Sequence, residues 1–353
     1  MALTEIYVDP SINGNSGTGT IGDPYGDLQY ALNTVSRDAT NGNRFNIKAG
    51  TAEVLTAAIS LTTYGTPTAA APCWFEGYTS AAEDGGRGEI TGNGSYGIFA
   101  SNGVGFTRWK NLKLGNCGAN FILYPGTNTL VDSCELHTNN NHGLPMLGAS
   151  SMLIDSWVHG TRGSYAVICP FVIGCFIEDG TTTQPAIDTG VQYAIGNLIS
   201  GFKFGISVNQ GLGAFGNTII GTNAASGYGI SLSFYSQASN NLITGYSGSG
   251  ARGITTNGLH GQIIANNAFW NCATNIGGGG TNLIRGSVSL GSDPFVDAAG
   301  GDYSTTEAAL LAAMPSLLRG SSTTNAAYIG VAQTVSSGGG GIQIARGMHG
   351  GMR

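Results

Sequence analysis

AIGNLISG (residues 194–201) returns as FGNTIIG (215–221), SNNLITG (239–245) and ANNAFWN (265–271), and in each an asparagine stands two residues before an apolar side chain. The frame continues toward the N-terminus through WKNLKLGN, VDSCELHT, LIDSWVHG and VIGCFIEDG. Anchored on Leu112, Cys134, Ser156, Cys175, Asn197, Asn217, Asn241 and Asn267, the steps are 22, 22, 19, 22, 20, 24 and 26 residues. Two places after each anchor stand Leu114, Leu136, Val158, Ile177, Ile199, Ile219, Ile243 and Phe269. A second apolar column follows a glycine-rich turn: Ile98, Ile122, Leu144, Val167, Ile187, Ile206, Ile230, Ile254 and Ile276.

A unit of about 22 residues cannot bury its own apolar face and must stack on its neighbours. Each row holds short alternating strands separated by Gly, Asn and Ser. The geometry that fits is all-β: a right-handed parallel β-helix, one row per coil, with successive coils about 4.8 Å apart. Asn197, Asn217, Asn241 and Asn267 then form a ladder of side-chain amides, each bonding the next and the adjoining backbone. Cys134, Ser156 and Cys175 take the same slot in earlier coils. A leucine-rich repeat would need a fixed L-x-x-L-x-L frame that these rows lack.

Composition agrees. Of 353 residues 59 are glycine and only 10% are charged, while 41% are hydrophobic, enough to fill a core. Lys plus Arg number 14 against 20 Asp plus Glu, with no basic run, so no nucleic-acid partner is expected. No apolar run reaches membrane-spanning length, and MALTEIYVDPS shows no basic region followed by an apolar stretch; the expectation is a protein made in a cytoplasm without a secretory signal or membrane partner. Six cysteines without CxxC spacing read as reduced, packed thiols, and neither a cofactor nor a metal is expected.

Four segments are expected. Residues 1–50 supply an opening strand at Ile6–Val8, a loop, and a capping helix that starts at Asp27 and carries Leu28, Ala31, Leu32 and Val35. Residues 51–300 form the solenoid, and 301–335 close it, with a short helical plug in TTEAALLAAMPSLLRG (305–320). Residues 336–353 are a Gly-rich tail, either frayed or docking on other proteins of a particle.

YVDPS, GDP, LQYAL, FNIKAGT and FEGYTS near one end, with DPFVDAAGGDYS and AAYIGVAQ near the other, resemble the right-handed parallel β-helix repeat proteins of the pectate-lyase-like superfamily, over most of residues 5–335. The resemblance implies the fold. It leaves function open, because that architecture carries lyases, hydrolases, phage tailspikes and non-catalytic virion proteins.

Candidate chemistry falls on the column after each apolar anchor, where His137, His159 and Glu178 are expected to face outward on successive coils, with Glu135 beside His137. Two carboxylates, Glu135 and Glu178, would suit glycoside cleavage; the histidines with Glu178 could ligate a transition metal; or the group is a hydrogen-bonded polar ladder. Asp179, Arg162 and His142 lie on nearby turns. The paired-aspartate signature of polygalacturonase-like relatives is missing, and HGTR (159–162) matches only a catalytic HG. Trp157, Phe176 and Trp270, with Tyr235 and Tyr246 in loops, are candidate exposed aromatics for glycan stacking or subunit contact.

With no leader, little charge and no catalytic motif, the expected function is a non-enzymatic bacteriophage virion protein: capsid decoration, fibre or spike, a homotrimer that touches host surface polysaccharide. The alternatives are a tailspike-like depolymerase and a glycan-binding module.

Overall fold

The computed structural model describes residues 3–12, 14–99, 104–118, 122–123, 126–137, 144–145, 150–160, 166–178, 184–188, 192–208, 213–257, 261–279, 282–295, 297, 333–334 and 343–344. Arg162, Asp179, His142 and the helix expected at 305–320 lie outside these residues. So do the closing segment and tail, apart from an antiparallel pairing of Gln333–Thr334 with Gln343–Ile344. The chain divides into two compact units, Met1–Phe171 and Val172–Arg353. Each is a stack of parallel-stranded coils, and the fold is an all-β parallel β-helix.

The residue before each anchor explains how the chain turns. Asn111, Ser133, Asp155, Gly174, Gly196, Gly216, Asn240 and Asn266 all have φ between 47° and 65°. This left-handed conformation disfavours most side chains and is tolerated by Gly, Asn and Asp. One left-handed residue per coil redirects the strand from one sheet to the next, which is why GN, NN, SC and DS recur at the same place. Gly286, with φ 62°, extends the series and makes Ser287 the next anchor.

In the first unit, one sheet stacks Thr4–Val8, Asn43–Lys48, Cys73–Tyr78, Thr107–Lys110, Leu130–Asp132 and Met152–Ile154 in that order. Its inward column aligns Ile6, Phe45, Phe75, Trp109, Val131 and Leu153. Phe75 and Trp109 stack at 4.2 Å, and each aromatic burial supplies the large apolar area that a coil needs. A second sheet stacks Ala52–Val54, Gly88–Thr91, Leu112–Gly115, Glu135–His137 and Trp157–His159. There Ile90, Leu114, Leu136 and Val158 align inward, all fully buried. A third sheet pairs Leu144 with Val167.

The helix spans Leu28–Thr34. Asp27 accepts from the Tyr30 amide, and Leu28, Ala31 and Leu32 are buried. Val35, expected within the helix, is instead its extended C-cap (φ −80°, ψ 126°). Gln29 ties the helix to Ser60 through two hydrogen bonds, one in each direction.

In the second unit the apolar anchor column runs Ile177, Ile199, Ile219, Ile243 and Phe269 in direct register. The opposing column runs Ile187, Ile206, Ile230, Ile254 and Ile276. Glycines let these sheets approach. A Cβ on Gly205, Gly229 or Gly253 would meet Ile219, Ile243 or Phe269 at 2.9, 2.5 and 2.5 Å, so this stretch of each coil has no room for a side chain.

The anchor side chains link the coils. Asn197, Asn217, Asn241 and Asn267 are all fully buried. The Asn197 amide N–H and Nδ2–H both donate to Asn217 Oδ1, at 3.0 and 2.9 Å, and Asn217 donates to Asn241 in the same way, at 2.9 Å twice. Asn241 repeats the pattern onto Asn267. Each Nδ2 also donates to a backbone carbonyl of the preceding coil: Val172, Ala194, Ala214 and Ala238. The Cys175 amide donates to Asn197 Oδ1 at one end, and at the other the Asn267 amide donates to Ser287 Oγ. In the first unit Ser156 Oγ accepts from the Cys134 amide at 3.1 Å. Burial pushes the Cys134 thiol up to about 12, so it sits in the ladder as a neutral S–H, donating to the Trp109 and Asp132 carbonyls.

Candidate functional site

Alternation in a strand puts residues i and i+2 on one face. In the second sheet of the first unit, burying Leu136 and Val158 therefore turns Glu135, His137, Trp157 and His159 outward. Register aligns Trp157 with Glu135 and His159 with His137, and continues from Glu135 to Lys113 and Glu89, and from His137 to Gly115 and Thr91.

The four side chains form one cluster. The His137 and His159 rings stack at 4.7 Å and 13°, and the Trp157 indole stacks on His159 at 4.0 Å and 19°. Glu135 Oε1 lies 3.4 Å from His159 Nε2, and Glu135 Oε2 accepts from Arg87 at 3.1 Å. Lys113 lies 3.4 Å from Glu89. Gly115 seats His137: a Cβ there would meet the His137 carbonyl oxygen at 2.8 Å. Both oxygens of Glu135 thus face cations or a potential cation, and the described carboxylate two coils away, Glu89, is paired with Lys113. The result is a half-buried aromatic–imidazole platform with a fixed ionic edge.

Arg87, Lys113 and Gly115 were not legible as site residues. Arg87 meets Glu135 from 48 positions away, across a turn whose register the repeat does not set.

Glu178 belongs to the second unit, half-buried after the strand Phe176–Ile177. Phe176 is not an exposed aromatic: it is 3% exposed and aligned with Leu198 in a column that continues through Thr218, Leu242 and Ala268, all buried. In the first unit the same column carries Lys113, Glu135 and Trp157. In the second unit it is apolar, and Phe295 packs over Leu242 and Ala268. Trp270 is half-buried, aligned with Thr244. Tyr246 is buried inside its strand rather than placed in a loop, whereas Tyr235 is 65% exposed.

Among the described residues no three His, Cys, Asp or Glu side chains converge as metal ligands. A cavity of about 380 Å³ lies in the first unit against Pro10, Ile12, Asn15, Asp27 and Glu53, and the His137 cluster does not line it.

No protein-family model matches the chain, and no curated protein does. Among solved structures it is similar to the pectate lyase Pel9A, with TM-score 0.46 and 11% identity over 93% of this chain and 96% of that one. It is also similar to the catalytic unit of a thermostable GH87 α-1,3-glucanase from Streptomyces thermodiastaticus strain HF3-3, with TM-score 0.42 and 12% identity over 81% of this chain and 70% of that one. At such identities no substrate or residue role transfers from either.

Proposed function

We propose that the chain is a non-enzymatic structural protein of a bacteriophage particle, a capsid decoration, fibre or spike component, assembled as a homotrimer and carrying a glycan-binding face at Trp157, His159 and His137. The observation that carries the binding reading is the ring stack beside Glu135. Flat aromatic and imidazole surface with a polar edge suits the apolar face and hydroxyls of a sugar. Glycoside cleavage instead needs one carboxyl free to give a proton and a second free to attack or to activate water. Here Glu135 is held between Arg87 and His159, and Glu89 is paired with Lys113. The virion reading draws on the low charge of the chain, the lack of a catalytic motif in its sequence and the Gly-rich stretch 336–353.

The test incubates the full chain with a panel of acidic and neutral polysaccharides, following binding together with release of reducing ends and of unsaturated uronate. Binding without cleavage is expected, weakened at least about tenfold by Trp157→Ala, the loss of one well-placed ring contact. Cleavage by the wild type that Glu135→Ala with Glu178→Ala abolishes would establish a depolymerase instead. Antibody to the chain should label purified phage particles, and labelling confined to host lysate would remove the virion assignment.

A further inference from the structure

Cations are treated differently in the two units. In the first, six of the seven described cations, Arg44, Lys48, Arg87, Arg108, Lys110 and Lys113, lie against a carboxylate, Arg37 being the exception. In the second, no Asp or Glu occurs anywhere from residue 189 to 292, yet Lys203, Arg252 and Arg285 do. Among the described residues none of these three has a carboxylate partner. In a chain of net charge −6, this is a cationic, acid-free stretch of sequence; Asp188, which follows Ile187 one coil before Ser207, is only 7% exposed.

Two of these cations frame a ring pair. Lys203 Nζ lies 5.0 Å from the centre of the Phe204 ring, and Phe204 meets Tyr228 at 4.8 Å and 41°. Register places Phe204, Tyr228 and Arg252 on three successive coils, so Lys203 and Arg252 stand about two coil spacings, roughly 9–10 Å, apart along the stack. Beside them runs a hydroxyl column, Ser207, Ser231 and Thr255, in the same register. It ends at Gly277, and a Cβ there would meet Arg252 Cδ at 2.8 Å. The missing side chain gives the arginine room to lie across the face, where it donates to Thr255 Oγ1 at 3.1 Å.

We infer that this face, Lys203–Phe204–Tyr228–Arg252 with the Ser207–Ser231–Thr255 column, binds an anionic glycan. The rings would take the apolar side of a sugar, the hydroxyl column its hydroxyls, and the two cations its carboxylate, sulfate or phosphate groups. A neutral glycan would leave both cations unused. A repeating polymer fits a surface whose groups recur at one fixed spacing. The inference rests on the glycan-binding reading above and adds a second face with charge selection.

The test measures binding of the full chain to a uronate-bearing polysaccharide and to its carboxyl-reduced, neutral form at low and high salt. The uronate form should bind about tenfold or more tightly at low salt, and added salt should narrow the gap. Lys203→Ala with Arg252→Ala should erase the preference, and Ser231→Asp, which puts an acid in the middle of the face without removing packing, should do the same. Trp157→Ala should leave the preference intact. Equal binding of the two forms by the wild type would overturn the inference while leaving the glycan reading standing. Failure of both forms to bind would overturn both. Equally tight binding of double-stranded DNA would replace glycan recognition with general attraction for polyanions.

Discussion

Glu53 is the residue where burial and charge conflict most. It aligns with Ile90, at the head of the inward column Ile90–Leu114–Leu136–Val158, and is 4% exposed. The Leu28 amide donates to Oε1 at 3.2 Å, fixing the first turn of the helix to this coil. Burial above all pushes its carboxyl up to about 7, nearby Asp27 adds to the rise, and the Leu28 hydrogen bond opposes it. Because the folded value lies above the ordinary 4.5, the folded state holds the proton more tightly than the unfolded chain. This contribution is therefore complete below about pH 4.5 and is lost as pH climbs through about 7. The full swing is on the order of 3 kcal/mol. Thermal melts should show Glu53→Gln gaining stability over wild type at pH 8 and losing that advantage at pH 5; an advantage equal at both pH values would mean that the carboxyl does not titrate as described. The sequence concealed this residue because reading Glu53 as inward requires the register of the coils before residue 98, which the two apolar columns leave unset.

At the scale of strands and coils, what could be read in advance was whatever repeats within one column. Asn197, Asn217, Asn241 and Asn267 stand out because a ladder needs the same side chain at the same slot. The left-handed residue before each anchor is equally regular, but Gly, Asn, Asp and Ser share the role, so it looks like variable turn composition. The glycines at 205, 229 and 253 were lost among 59, because their constraint comes from another column, Ile219, Ile243 and Phe269. Gly229→Ala tests it: the new methyl meets Ile243 Cγ2 at 2.5 Å and the Gly253 carbonyl oxygen at 2.7 Å. Overpacking of this kind costs about 1–3 kcal/mol. In urea denaturation, Gly229→Ala with Ile243→Ala should cost less than the sum of the single changes by about 0.5 kcal/mol or more. Ile243→Val keeps the offending methyl and should give no such relief. Strict additivity in the alanine cycle would show that the sheets do not constrain each other at this coil.

For the whole molecule, the repeat decided the fold class, while partners depend on what the last coils leave uncovered. Ile264 is fully buried, but Ile284, its register partner one coil later in the same inward column, is 49% exposed. On the outward side Ile263 and Leu283 are in register and exposed at 41% and 48%, and Tyr235 reaches 65%. Elsewhere the described large apolar side chains are mostly buried or half-buried, so this concentration is where the proposed association of copies has apolar surface to use. Sedimentation velocity should find the full chain as a trimer of 36.0 kDa subunits. Leu283→Asp should shift it toward monomer without unfolding it, since a side chain already half exposed loses little packing when changed. A wild type that sediments as a monomer at micromolar concentration would end the trimer proposal. A trimer indifferent to Leu283→Asp would place the contact on another face.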